Sequence, residues 1–346
     1  ALITVSPTSA AGTITGASAQ CTGTNLDTLT VSGHTGTIQW QSSVDSVNFV
    51  DIADSTAATF TAIDLMESTY YRARLTSGVC TSAYSTLAKV TVSTVTTAGS
   101  ASGDTTVCAA SNSSVVTLNN YEGDVQWQIS ADEISYTNVP GATGATYTVT
   151  GLTNTRYFRA QVKSGACAAA NSNSVTIYVD PASVGGHITG STTVCTGTNS
   201  TQLDLTGSVG AIIWQESSDS TTFTDIASAT ASSYTATNLT QSAFYRAKVA
   251  SGVCDTLFSN IIKVTVSPAT VVGTVSNDTT VCASSSNITL SLSGNTGSIQ
   301  WQVASSLGGT YNNISAATSS TVSTGTLSAT RYYRVRVVSG VCDTLY

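Results

Sequence analysis

The chain repeats itself every 87 residues, and that period constrains its fold more than any other feature. Trp40, Trp127, Trp214 and Trp301 are each separated by 87 residues. They lie in related stretches: "TGTIQWQSS", "EGDVQWQIS", "VGAIIWQES" and "TGSIQWQVA". Cys21, Cys108, Cys195 and Cys282 keep the same step, whereas Cys80, Cys167, Cys254 and Cys342 follow it with steps of 87, 87 and 88. The extra residue can be located. Phe49, Tyr136 and Phe223 fall nine positions after their tryptophan and Tyr311 falls ten, so the insertion sits in "VASSLGGTY". A fixed period of this length means a row of equivalent structural units.

The ends obey the same arithmetic, since "ALITVSP" at the start aligns with "IKVTVSP" at 262–268. Residues 1–6 are therefore expected to be the last strand of a preceding repeat. Full repeats are expected over 7–93, 94–180 and 181–267, with a fourth over 268–346 that lacks its final strand. The chain reads as a window on a longer array.

Within a repeat the apolar period is two. Ile38 and Trp40 alternate with Gln39 and Gln41, and Tyr71, Ala73 and Leu75 alternate with Tyr70, Arg72 and Arg74. That is the pattern of half-buried strands. Glycines at 36, 123, 210 and 297 punctuate it before each tryptophan strand. About seven short strands per 87 residues predict an all-β fold: a tandem array of immunoglobulin-like or fibronectin type III-like sandwiches. Trp40, Trp127, Trp214 and Trp301 are the expected core anchors, faced by Tyr71, Phe158, Tyr245 and Tyr333. Leu65, a turn and Tyr71 resemble the tyrosine corner of such sandwiches, which Phe158 cannot complete for want of a hydroxyl.

One cysteine pair per repeat predicts disulfides and an oxidising compartment. The period leaves two regular schemes. Pairing within repeats gives Cys21–Cys80, Cys108–Cys167, Cys195–Cys254 and Cys282–Cys342, and is the favoured expectation; pairing between repeats gives Cys80–Cys108 and its equivalents. A zinc site is disfavoured because no close Cys-x-x-Cys pair or neighbouring histidine exists.

Catalysis needs titratable groups, and only 9% of the residues are charged. The two histidines, His34 and His187, occupy non-equivalent positions and read as exposed loop residues. Asp45, Asp51 and Asp54 form the densest carboxylate group and can be compared with a calcium site. The trio is not reproduced in the other repeats, so it reads as a solvated loop. No phosphate loop, nucleophile motif or metal-ligand spacing occurs. Neither an enzyme activity nor a cofactor is expected. The net charge of −7 and the lack of a basic run argue against nucleic acid as a partner. No apolar stretch is long enough to span a bilayer.

The combined pattern "TVC-x-G-TN … IQWQ-x-S-x-D … YYRA-x-V-x-SGVC … VTV" resembles the immunoglobulin-like repeats of large secreted surface proteins of Bacteroidota. It covers the whole chain. That resemblance implies adhesins and filaments exported by the type IX secretion route, some of them used in gliding. It also implies O-glycosylation at Asp-Ser/Thr sites, which here are Thr28, Ser46, Ser55, Thr105, Ser220, Thr256, Thr279 and Thr344. Turn formation by Asp-Ser and Asp-Thr is the alternative reading of the same dipeptides.

Two functions follow from this reading. The first is a structural one: a stalk, spacer or filament segment of an extracellular bacterial adhesin or fibre, its partners being neighbouring repeats of the same chain and like filaments. The second is a multivalent carbohydrate- or surface-binding array. Its ligand face would be the recurrent set Tyr70, Arg72, Arg74, Arg159, Arg246 and Arg334, beside Gln39 and Gln41, offered to surface glycans.

Overall fold

The computed structural model describes residues 1–109, 111–190, 192–276, 278–284 and 287–346. The chain divides into two compact units, Ala1–Asp180 and Pro181–Tyr346. Each holds two sandwiches.

In the first repeat the strands are β1 (Thr13–Thr15), β2 (Ala19–Cys21), β3 (Leu26–Ser32), β4 (Thr37–Ser43) and β5 (Val50–Asp51). They continue with β6 (Thr59–Ile63), β7 (Thr69–Thr76), β8 (Ala83–Tyr84) and β9 (Ala88–Ser93). One sheet has the order β1-β3-β6 and the other β2-β9-β7-β4-β5, with β8 also pairing β7. The pairs are antiparallel except β2 and β9, which run parallel, with Cys21 opposite Ser93. The repeats of residues 97–180 and 184–267 copy both sheets. β5 and β8 go beyond the expected seven strands, and at two residues each they are too short to leave an alternating signature.

The cores form where alternation predicts them. Each repeat has its own cluster, and all four tryptophans are fully buried. Every indole Nε1 donates to a carbonyl at 2.9 Å: Ala57, Gly144, Ala231 and Ser319 in turn. A buried indole N–H needs such a partner. Phe60 fills the space between Trp40 and Tyr71, with ring centroids 5.6 and 5.4 Å away. Tyr234 does the same between Trp214 and Tyr245.

The turn into each tryptophan strand requires glycine. Gly123 has φ +127°, and a Cβ there would stand 2.6 Å from the backbone of Lys163. Gly36, Gly210 and Gly297 are placed the same way. Gly123→Ala is expected to destabilise the second repeat by about 3 kcal/mol, through a strained backbone and a forced shift of the partner strand. Urea unfolding of the whole chain against the parent checks this.

Two expectations are corrected here. Residues 1–6 form no strand, and Leu2, Ile3 and Val5 are almost fully exposed. The equivalent strand Ile262–Ser267 is held by Ala243–Ala250 and Thr193–Cys195, whereas no such neighbours flank residues 1–6. His187 is exposed as expected but lies in the strand His187–Thr189 rather than a loop, and His34 lies in a loop as expected but is half-buried.

Candidate functional site

Two features recur from repeat to repeat outside the cores. One is an arginine held among aromatic rings on the outer face of the larger sheet. The other is the place where successive repeats meet.

The register of β4 and β7 sets Gln41 opposite Arg72 and Gln39 opposite Arg74. Arg72 Nε donates to Gln41 Oε1 at 2.7 Å, and Gln41 Nε2 donates to Asp51 Oδ1 at 2.6 Å. The guanidinium carbon of Arg72 is 4.0 Å from the Phe49 ring centroid and 4.2 Å from that of Tyr84. Arg246 lies likewise between Phe223 and Phe258, and Arg334 between Tyr311 and Tyr346. Arg159 stacks on Tyr136, with Asn171 at the position of the second ring. Each arginine donates to the glutamine opposite: Gln128, Gln215 and Gln302.

This geometry bears on the expected ligand face. In three of four repeats both planes of the guanidinium are covered by the protein's own rings, so a sugar cannot stack there. Tyr70 is engaged as well, with Lys89 Nζ 5.3 Å from its ring. The rings come from the segments around β5 and β8, so the cluster fastens those short edges to the sheet. Arg74 meets Asp51 at 2.8 Å, and Lys248 meets Asp225 at 3.4 Å, both partly exposed. Such pairs contribute under about 1 kcal/mol. The hydrogen bond from Gln215, then Lys248 nearby, hold the Asp225 carboxyl below its ordinary value.

Arg72→Ala is expected to cost the first repeat about 2 kcal/mol, from two cation–π contacts and one charge-assisted hydrogen bond. The same substitution should leave sugar titrations unchanged. The denaturant midpoint and a calorimetric titration check the two halves.

The aspartate trio does not assemble. Asp45 closes its own turn: Oδ1 accepts from the amides of Val47 and Asn48 at 2.9 and 2.8 Å. Asp132 and Asp219 repeat that turn, an equivalence that comparison of Asp45 with Asp51 and Asp54 missed. Asp51 serves Gln41 and Arg74, and Asp54 is at φ 56°. Among the described residues no group of three His, Cys, Asp or Glu side chains is arranged to hold a metal ion. Amide donors, first Asn48, Ser135 and Thr222 respectively, hold the carboxyl pKa values of Asp45, Asp132 and Asp219 below their ordinary value. The sign follows: this stabilisation is complete above the unfolded value near 3.8 and is lost as pH falls through the folded values below it. Urea midpoints are expected to drop below about pH 4, and D45N/D132N/D219N should flatten part of that slope.

The candidate glycosylation residues differ in access. Thr28, Thr256 and Thr279 are exposed; Ser46, Ser55, Thr105, Ser220 and Thr344 are partly covered. Ser46 and Ser220 sit at φ 63° and 64° inside the aspartate turns, as turn chemistry predicts.

The corner before β7 is held by a residue that sequence reasoning passed over. Asn25 Nδ2 donates to the carbonyls of Cys21 and Leu65 at 2.8 and 2.7 Å, and its Oδ1 accepts from the Leu65 amide at 2.9 Å. Asn112 and Asn199 do the same in the next two repeats. The signal was an asparagine four residues after the first cysteine in the first three repeats; the fourth has Ser286 there, which lies outside the described residues. Tyr71 is buried beside Thr69 and packs as a core ring, the same role Phe158 fills, so the expected tyrosine corner gives way to this asparagine clamp.

The cystines overturn both expected schemes. Cys21 is bonded to Cys167, and Cys195 to Cys342. The first cysteine of one repeat thus joins the second cysteine of the next. Cys108 and Cys254 are oxidised too, and Cys80 is a thiol.

Strand directions explain why. Cys21 ends β2 beside Ser93, the last residue of β9. Cys80 follows the far end of β7, whose beginning pairs with the start of β9. The two cysteines of a repeat therefore lie at opposite ends of the sandwich, roughly 35 Å apart at about 3.4 Å per residue. A disulfide needs Cα atoms within about 7 Å. The second cysteine instead faces the end of the preceding repeat. Gly165 presses on Ser93, where a Cβ would stand 2.1 Å from Oγ, and Cys167 Sγ is 3.0 Å from the Thr94 carbonyl. Gly340, Ser267 and Cys342 reproduce this contact. Gly78 packs on Ser6, and Cys80 Sγ lies 3.4 Å from the Pro7 carbonyl, so residues 6–7 occupy the place predicted by alignment although they form no strand.

The connections are stitched as well. Thr94 Oγ1 donates to Glu122 Oε1 at 3.1 Å, and Ser164 N to Thr96 Oγ1 at 3.0 Å.

Fold and junctions together define a tandem array of immunoglobulin-like sandwiches with cystine-linked neighbours. A family model described as "Domain of unknown function (DUF8696)" matches residues 10–94, 97–181, 184–268 and 271–346, and the chain belongs to that family as four consecutive copies. No curated protein matches it in sequence. Among solved structures, a three-domain titin fragment carrying an E-to-A change is 12% identical at a TM-score of 0.48, over 74% of this chain and 99% of its own. Extracellular domains 3–5 of Drosophila OTK are 12% identical at 0.32, over 75% and 96%. A bacterial ice-binding adhesin is 14% identical at 0.31, over 74% and 96%.

Proposed function

We propose that the chain is a structural segment, a stalk, spacer or filament portion, of an extracellular bacterial surface adhesin or fibre. The carrying observation is the cystine between successive repeats. It fixes junctions rather than building a site, and it forms only in an oxidising setting. The arginine clusters support this reading over a glycan-binding array, because their stacking faces are spent inside each repeat. Assignment to Bacteroidota surface proteins of the type IX route rests on the motif resemblance, as does glycosylation at Thr28, Thr256 and Thr279.

Antibody against the repeats, applied to intact cells of the source organism, is expected to label the surface, and external protease to remove that signal. Labelling only after permeabilisation, with reduced cysteines, overturns the reading. An intact mass equal to the bare 35.2 kDa chain removes the glycosylation.

A further inference from the structure

The cystines also shorten the covalent path along the chain. Cys342 stands 321 residues after Cys21. Through bonds, however, the path crosses from Cys21 to Cys167, follows 28 residues to Cys195, and crosses again to Cys342. The bypassed segments, 22–166 and 196–341, contain all four tryptophans.

We propose that this array is a tension-bearing element of capped length: a pull between Cys21 and Cys342 passes through two cystines and one 28-residue backbone segment, bypassing the segments that carry the four core tryptophans. An ordinary row of sandwiches lengthens under load because each domain that unfolds releases its chain. Here a core that unfolds releases at most its share of that in-series segment, because the cystines shunt the rest of its chain. Backbone reaches about 3.4 Å per residue at full extension, so the in-series segment gives about 95 Å, against about 1,100 Å for the same span without cystines. Offsetting the bonds by one repeat is what achieves this. Bonds within repeats would leave a 28-residue stretch in series at each of three junctions, about 290 Å in all. The proposal deepens the structural reading above and rests on it for its biological use, while the covalent path stands on the cystine pairs alone.

The test is single-molecule stretching of the whole 346-residue chain, tethered at both ends, before and after addition of a phosphine reductant. With the terminal residues included, the oxidised chain is expected to stop at about 190 Å and the reduced chain at about 1,200 Å, a sixfold increase. The C21S/C167S chain should reach at least about three times the oxidised length without reductant. A limit near 390 Å, the value for pairing within repeats, overturns the proposal. So does an oxidised chain as long as the reduced one, or a C21S/C167S chain no longer than the parent. If the chain is long when oxidised yet displayed outside the cell, only the load path fails; cysteines reduced in native material remove both readings.

Discussion

Trp127→Ala is expected to destabilise the second repeat by about 4 kcal/mol, enough to unfold it selectively under mild denaturant. The indole is fully buried among Val116, Val125, Phe158, Val162 and Val175, and its N–H satisfies the Gly144 carbonyl. Truncation removes the largest side chain of the core and leaves both a cavity and an unpaired acceptor. Hydrogen exchange gives the spatial check: amides of Asp124–Ser130 should lose protection while those of Thr37–Ser43 keep theirs, because each repeat has its own cluster. Uniform loss across both repeats would show that the cores are not independent.

Cys167→Ser should be costlier still. The bond to Cys21 closes a loop of 146 residues, and in the chain-entropy model such a closure stabilises joint folding of the two repeats by about 5 kcal/mol. Denaturant midpoints of parent and variant, taken without reductant, measure it. Cys80→Ser is the matched control, since that thiol forms no cystine; its midpoint should move little. Equal effects of the two substitutions would contradict the pairing seen here.

The cysteines also show where sequence reading stops. Their spacing identified which were equivalent, and oxidation followed. Their partners did not, because partner choice depends on which end of the sandwich each one occupies. That is decided by the parallel pairing of β2 with β9, a tertiary fact that local alternation does not encode. The tryptophans and Tyr71, Phe158 and Tyr245 were readable for the opposite reason: burial in a two-sided sheet is written directly into period two. Arg72 lies between these cases. Its outward direction was legible, whereas the ring of Tyr84 that closes over it lies 12 residues away on a two-residue edge strand. Asn25 was visible as a repeated letter and silent as to role, since two of its three bonds reach a corner 40 residues away.

The insertion in the fourth repeat has a practical consequence. Between Trp301 and Tyr311 the chain carries one residue more than its siblings, yet Tyr311 still covers Arg334 at 4.1 Å and Gln302 still reaches Asn313 at 2.8 Å. The hairpin tip at 305–310 absorbs the change without passing it to the sheet. An epitope or fluorophore acceptor peptide grafted there should therefore report on the array while disturbing neither its junctions nor its interior.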